Sequence, residues 1–142
     1  MPTFEVEIDN HQVLMVVKVA VPESDEEAMP FTALVDTGAQ KTLISQNVID
    51  GLGAVSSGIS HIMPASGEPI QVDLFVLNIA VPVSTPAKSH DGSDLIYEHL
   101  SGRQITAARL PYVPHNYDVL LGMDMLSLFH ITMFGGRFVM SN

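Results

Sequence analysis

The chain has 142 residues with a net charge of −10 at pH 7; 46% of its residues are hydrophobic and 15% are charged. This composition suits a folded domain with a buried core and excludes a disordered chain. Only six Lys and Arg residues occur, which argues against a nucleic-acid-binding surface because phosphate binding needs clustered cations. The absence of cysteine excludes disulfides and thiolate chemistry.

We expect neither a membrane span nor a signal peptide from this sequence. No apolar run approaches the roughly 20 residues that a membrane span needs. The N-terminal residues lack the basic and apolar segments of a signal peptide. We therefore expect a cytoplasmic protein with neither a nucleic-acid nor a membrane partner.

Short apolar segments separated by turn residues run through the chain. Apolar and acidic residues alternate over residues 4–9, a pattern typical of a half-buried strand. Further strands are predicted at 13–21, 31–35, 42–44, 59–63, 70–81, 117–121, 131–134 and 137–140. A helical turn is predicted from Ser45 and a short helix over 123–129. The pattern favours a mostly β domain: a small closed or partly closed β-barrel with one short C-terminal helix.

Residues 84–116 form the least regular stretch of the sequence. Several prolines interrupt it, and no sustained period is visible. We expect an elaborated loop or insertion here, with a short helix at 94–100. The whole chain, residues 1–142, is predicted to be a single domain.

The first candidate for chemistry is the tripeptide Asp36-Thr37-Gly38, which follows a predicted apolar strand. A carboxylate in this place can act as a general acid or base. Thr37 adds a hydroxyl, and Gly38 allows a close backbone approach that a side chain would block. By itself, the tripeptide also fits an ordinary turn at the end of a strand.

A second segment, Val119-Leu120-Leu121-Gly122, precedes the predicted C-terminal helix. Together with residues 34–39, it makes the chain resemble the retropepsin-like aspartic peptidases, the single-lobed relatives of pepsin. The resemblance implies a small β-barrel that is active as a twofold homodimer on peptide or protein substrates. Because the tripeptide occurs once with this context, it implies that Asp36 meets the Asp36 of a second copy.

The resemblance also implies a role for each residue around Asp36. Thr37 would brace the carboxyl pair across the axis, and Gly38 would contact the carboxylate or the substrate through its backbone. Ala39 would lie beside the cleft floor. The residues expected to pack beneath the loop, with a structural role, are Leu120, Leu121 and Gly122.

A hairpin tip at residues 64–69 falls where the family places its flap. A flap closes over the substrate, excludes water and supplies backbone hydrogen bonds. Gly67 is the natural flexible point of this tip. The residues expected to reach the substrate are Ala65, Ser66 and Gly67.

The chain departs from the viral members of the family at two positions. Those enzymes carry an acidic residue two positions after the first glycine and an Arg directly after the second, which form an ion pair. Here the corresponding residues are Gln40 and Met123, so the site must be braced differently. Asp124, at the start of the predicted helix, is available to accept backbone N–H groups. These departures point to a cellular or phage relative.

Other groups of residues in the sequence give only weak indications of a functional site. The six histidines have no metal-ligand spacing, so neither a metal nor a cofactor is expected. The sequence predicts an aspartic endopeptidase in which a water molecule is activated between two Asp36 carboxyls. The alternative is a retropepsin-like dimerisation or peptide-binding module with little or no proteolysis. A third possibility is a β-barrel binding protein in which Asp36 only caps a turn.

Overall fold

A computed structural model describes residues 2–142 of the chain, which are mostly β-strand. The strands are β1 (Thr3–Glu7), β2 (Leu14–Ala20), β3 (Met29–Val35), β4 (Leu43–Ile44), β5 (Gly58–Ile62), β6 (Ile70–Lys88), β7 (Asp94–Arg109), β8 (Val119–Leu121), β9 (His130–Phe134) and β10 (Arg137–Ser141). The helices are α1 (Gln46–Leu52) and α2 (Met123–Leu126). Within the described residues, neither helix has the length and apolar character needed to cross a membrane.

Six of the strands close into a barrel. Neighbouring strands follow the order β2, β3, β8, β4, β7, β6. Strand β6 then pairs with β2, for example between Ala80 and Lys18, and this pairing closes the ring. Strands β1, β10 and β9 extend the sheet beyond β6, and β5 pairs with β6 outside the ring. The mostly β, barrel-type fold predicted from the sequence is therefore confirmed.

The alternating pattern of the sequence explains which face of each strand lies inside. In β2, Met15, Val17 and Val19 are buried, whereas Val16 between them is exposed. Successive side chains of a strand point to opposite faces, so every second residue enters the barrel. Burying one such aliphatic side chain contributes about 1.5–3 kcal/mol. The core of the barrel is therefore apolar and continuous under the strands that carry the candidate site.

The helices differ from the prediction of one short C-terminal helix. The turn expected at Ser45 is a seven-residue helix that buries Val48 and Ile49 and ends at Gly53, whose φ is 62°. That left-handed conformation favours glycine. Ser45 makes no side-chain cap, because its hydroxyl instead donates to Asp118 Oδ1 at 2.8 Å. Helix α2 has only four residues, which is shorter than the predicted 123–129.

The prediction of an irregular loop at 84–116 was wrong for most of its length. Strand β6 has 19 residues and β7 has 16, and they pair without interruption from Leu74–Ala108 to Lys88–Asp94. The short helix expected at 94–100 is part of β7. Prolines such as Pro86 had suggested a loop, but an edge strand tolerates proline on its open side. A long hairpin therefore replaces the expected insertion.

Candidate active site

Asp36 directly follows β3 at the place where that strand meets β8. Val35 of β3 is the partner of Leu121 in a parallel pair. The Asp36 backbone N–H donates to the Leu121 carbonyl oxygen at 3.0 Å. The Asp36 side chain is half-buried. The two sequence anchors, far apart in the chain, are thus joined by the sheet.

Strand β8 lies between β3 and β4, and this arrangement forms the floor of the site. Leu120 of β8 is the partner of Leu34 on one side and of Leu43 on the other. The connection between β3 and β4, residues 36–42, therefore crosses the C-terminal end of β8. Leu121 is fully buried. We call residues 36–42 the Asp36 loop.

Within the Asp36 loop, the backbone orients the carboxylate. The Gly38 N–H donates to Asp36 Oδ1 at 2.8 Å, and the Ala39 N–H donates to the Asp36 carbonyl oxygen at 3.2 Å. A Cβ at Gly38 would lie 3.2 Å from Asp36 Oδ1, which is tight. Thr37 and Gly38 are exposed and Ala39 is half-buried. Thr37 and Gly38 thus lie at the surface, and one carboxylate oxygen of Asp36 is fixed by the Gly38 N–H.

Gly122 permits the Asp36 loop and the start of α2 to approach closely. A Cβ at this position would lie 2.6 Å from the carbonyl carbon of Lys41 and 2.7 Å from its oxygen. No side chain fits there, because both neighbouring atoms belong to backbone. The next residue, Met123, donates its N–H to the Ala39 carbonyl oxygen at 2.8 Å. This glycine is therefore required by packing beneath the loop.

Asp124 occupies the bracing position for which the sequence suggested it. Its Oδ1 accepts the Thr42 hydroxyl at 2.7 Å, and the Thr42 N–H lies 3.1 Å from Oδ1 and 3.0 Å from Oδ2. The Thr42 hydroxyl oxygen in turn accepts the Gly122 N–H at 3.1 Å. Hydrogen bonds between Thr42, Gly122 and Asp124 thus tie α2 to the Asp36 loop. Sequence reasoning did not single out Thr42.

A pair of tyrosines near Asp36 was also missed. The hydroxyl oxygens of Tyr112 and Tyr117 lie 2.8 Å apart. Burial raises the pKa of Tyr117 to about 12, and the hydrogen bond with Tyr112 and the negative charge of Asp36 add to the rise. Tyr117 therefore stands within the electrostatic reach of Asp36 as a neutral hydroxyl. Its position two residues before β8 was the available signal.

The hairpin tip between β5 and β6 is exposed. Ala65, Ser66 and Gly67 all face solvent, and Gly67 has a φ of 87°, a conformation that favours glycine. Its N–H donates to the Pro64 carbonyl oxygen at 2.9 Å. Among the described residues, no hydrogen bond joins this tip to the Asp36 loop. Within the described residues, the two predicted parts of the site are therefore not linked by hydrogen bonds.

Asp36 is half-buried and lies outside two concavities of the chain. A concavity of about 250 Å³ lies beside Asn47 and Tyr112, and a second of about 430 Å³ lies beside Lys41 and Asp124. Asp36 lines neither of them. Across residues 2–142, no three His, Asp or Glu side chains group as metal ligands. The chemistry that this arrangement can support is that of a positioned carboxyl group.

Comparisons with known proteins agree with this geometry. A family model described as retroviral aspartyl protease matches residues 2–62, which include the Asp36 loop. None of the curated proteins matches the sequence significantly. The fold is similar to the crystal structure of a retropepsin-like aspartic protease from Rickettsia conorii, with a TM-score of 0.59 and 14% identity. That likeness covers 97% of this chain and 89% of the other.

Proposed function

Since the chain is retropepsin-like both in its family match and in its fold, we propose that it is one subunit of an aspartic endopeptidase. The resemblance predicted from two sequence anchors is confirmed. In the proposal, residues 1–142 act as a single retropepsin-like domain in the cytoplasm. The active enzyme is a homodimer that hydrolyses peptide bonds with two copies of Asp36.

One observation carries this proposal. The half-buried Asp36 follows β3 and its backbone is fixed to Leu121 of β8, while Gly38 directs an N–H to its carboxylate. A residue that only capped a turn would not need two distant segments to hold it. The motif occurs once in the chain, so a pair of carboxyls requires a second copy on a twofold axis.

The chemistry follows from two carboxyls held close together. Like charges at short distance disfavour double ionisation, so the pair carries one proton. The ionised Asp36 removes a proton from water, and the water oxygen attacks the peptide carbonyl carbon. The protonated Asp36 of the second copy gives its proton to the carbonyl oxygen. As the tetrahedral intermediate collapses, the second Asp36 takes back a proton from one hydroxyl of the intermediate and the C–N bond breaks. The first Asp36 delivers the proton that it took from water to the leaving nitrogen.

The surrounding residues have supporting roles in this proposal. Thr37 braces the pair across the axis, and Gly38 and Ala39 line the cleft beside it. Residues 120–122 pack against the side of the Asp36 loop that faces the barrel and keep the loop in place. The exposed tip with Ala65, Ser66 and Gly67 is the flap that closes over the substrate.

The decisive experiment compares peptide-library cleavage by wild type and by Asp36→Asn across acidic to neutral pH. We expect a loss of about 10³-fold or more, because the variant has no carboxyl that can exchange the proton. Asp50→Asn is the matched control, because Asp50 also precedes a glycine but lies in α1. Cleavage that survives Asp36→Asn would refute the mechanism.

The dimer is tested separately by sedimentation under the conditions of the cleavage assay. We expect a monomer–dimer equilibrium, with activity per chain rising with protein concentration. A strictly monomeric protein that still cleaves peptides would contradict the shared site. If wild type and Asp36→Asn both bind peptides and neither cleaves them, the result would instead favour the peptide-binding module.

A further inference from the structure

A polar groove beside the Asp36 loop has no role in the mechanism above. It has a volume of about 430 Å³ and lies between β7, α2 and the loop. Asp124 and Ser127 lie three residues apart on the helix and at its end, so they share one side of it. The groove is lined by Lys41, Arg103, Gln104, Thr106, Asp124 and Ser127, together with Ile105.

The charges in this groove are unusual for so acidic a chain. The chain has six Lys and Arg residues and a net charge of −10, and two of the six, Lys41 and Arg103, line the same groove. Both are exposed. Within residues 2–142, the ion pairs are Lys88 with Asp94 and Arg137 with Glu5, so neither groove cation has a carboxylate partner there.

The one acidic residue of the groove is already engaged. Both oxygens of Asp124 face Thr42, at 2.7–3.1 Å from its hydroxyl and N–H groups. The carboxylate lowers the positive potential of the groove, but it makes no ion pair with Lys41 or Arg103. The charged groups of Lys41 and Arg103 and the hydroxyls of Thr106 and Ser127 line the same groove. Together they form a surface rich in hydrogen-bond donors. Carboxylates are its natural ligand because they offer only acceptors.

The groove is also fixed relative to the candidate active site. Lys41 belongs to the Asp36 loop, and its carbonyl packs against Gly122 so closely that no Cβ fits between them. Arg103 lies on β7 opposite Ile79 of β6. Both cations are therefore carried by backbone that does not need to rearrange when a ligand arrives.

We propose that this groove binds an acidic segment of the peptide substrate, outside the residues next to the scissile bond. This inference rests on the proposed function, because it assigns a substrate preference to the same site. Elsewhere the negative surface of the chain repels acidic peptides, so the groove selects where such a segment can lie. Arg103 offers a planar fork to a carboxylate, and Lys41 offers a compact point charge.

The test separates binding from catalysis by using full-length Asp36→Asn protein. Its affinity is measured for a Glu-rich peptide and for the same peptide with Gln in place of Glu. We expect tighter binding of the Glu peptide, with Lys41→Gln and Arg103→Gln each weakening it about 2- to 5-fold, as for exposed ion pairs. Higher ionic strength should remove the preference. The Gln peptide should be unaffected by either substitution.

Lys18→Gln is the matched control, because Lys18 is a cation of β2 that lies outside the groove. Equal affinity for both peptides, or an equal loss in the Lys18 variant, would overturn the inference. Sulfate binding that depends on Lys41 and Arg103 without any Glu-peptide preference would also overturn it. If wild type cleaves peptides without preferring acidic ones, the inference about the groove is wrong but the proposed function stands. A Glu preference in a protein that never cleaves rejects the proposed function instead.

Discussion

The Asp36 loop and the far end of the β6–β7 hairpin are built in opposite ways. The loop is held to β8 and α2 by hydrogen bonds from Asp36, Met123 and Thr42. The far end of the hairpin, residues 85–97, which we call the distal ribbon, consists of two strands and their turn. Most of its side chains face solvent, and Ile96 is 71% exposed. Dense backbone contacts, rather than regular strand pairing, therefore distinguish the region that we propose to carry the chemistry.

The largest effect on the contact between the Asp36 loop and α2 should come from Gly122→Ala. The new Cβ would lie 2.6–2.7 Å from backbone atoms of Lys41, so the two segments must separate. Overpacking of this kind costs about 1–3 kcal/mol and occasionally more, and we expect at least the upper value by chemical denaturation. Gly58→Ala is the control, because nothing lies within 4 Å of a Cβ there. Equal stability of the two variants would show that the loop and α2 are not tightly joined.

Thr42→Val should have the next largest effect. The substitution keeps the shape of a buried residue but removes the hydroxyl between Asp124 and Gly122. Leaving buried polar groups without partners costs about 1–3 kcal/mol. Thr132→Val, at an exposed position of β9, should change the free energy of unfolding very little. An unchanged stability of Thr42→Val would mean that Asp124 does not brace α2 against the Asp36 loop through this hydroxyl.

The tyrosine pair gives a pH-dependent prediction. The pKa of Tyr117 is raised from 10.0 to about 12. The Tyr117 hydroxyl therefore keeps its proton in the folded protein at a pH where the same hydroxyl is ionised in the unfolded chain. Its contribution to stability is therefore complete below pH 10 and is lost as the pH rises toward 12. Tyrosinate absorbance should show a late-titrating group that disappears in Tyr117→Phe. The same titration with Tyr97→Phe should keep that group.

The smallest effect should come from the distal ribbon. Ile96→Ser alters an exposed side chain, and such surface changes usually shift the free energy of unfolding by no more than about 0.5 kcal/mol. Leu121→Ala, in the buried floor of the site, should cost about 2–5 kcal/mol. A comparable loss in both variants would mean that the ribbon packs against a surface that a single chain does not contain.

The sequence predicted the parts of the molecule that follow local rules. Alternation of side chains placed most strands, and the glycines of the motif segments marked where backbone comes close. The meeting of Asp36 with Leu121 was predictable only through the family resemblance, because parallel pairing across the chain leaves no local signal. The role expected of Asp124 depended on its place at the start of a helix.

The features that the sequence did not predict depend on contacts between residues that are far apart in the chain. Thr42 looked like an ordinary strand residue, and its buried hydroxyl has meaning only beside Asp124 and Gly122. Prolines in residues 84–116 outweighed the weak strand pattern, since a proline on an open edge cannot be told from one in a loop. Tyr117 could not be linked to Asp36 without knowing that β8 lies beside β3.

Strand β6 runs as one continuous element from Ile70, beside the predicted flap, to Lys88 in the distal ribbon. Its inner face is fixed by alternate residues such as Leu77, Ile79 and Val81, all fully buried. A single inserted residue between them would turn the following inner side chains outward. Within the β6–β7 hairpin, we therefore expect changes in chain length to fall in the turn at 89–93. Homologues should vary in length there, while β6 between the flap and the ribbon keeps a constant number of residues.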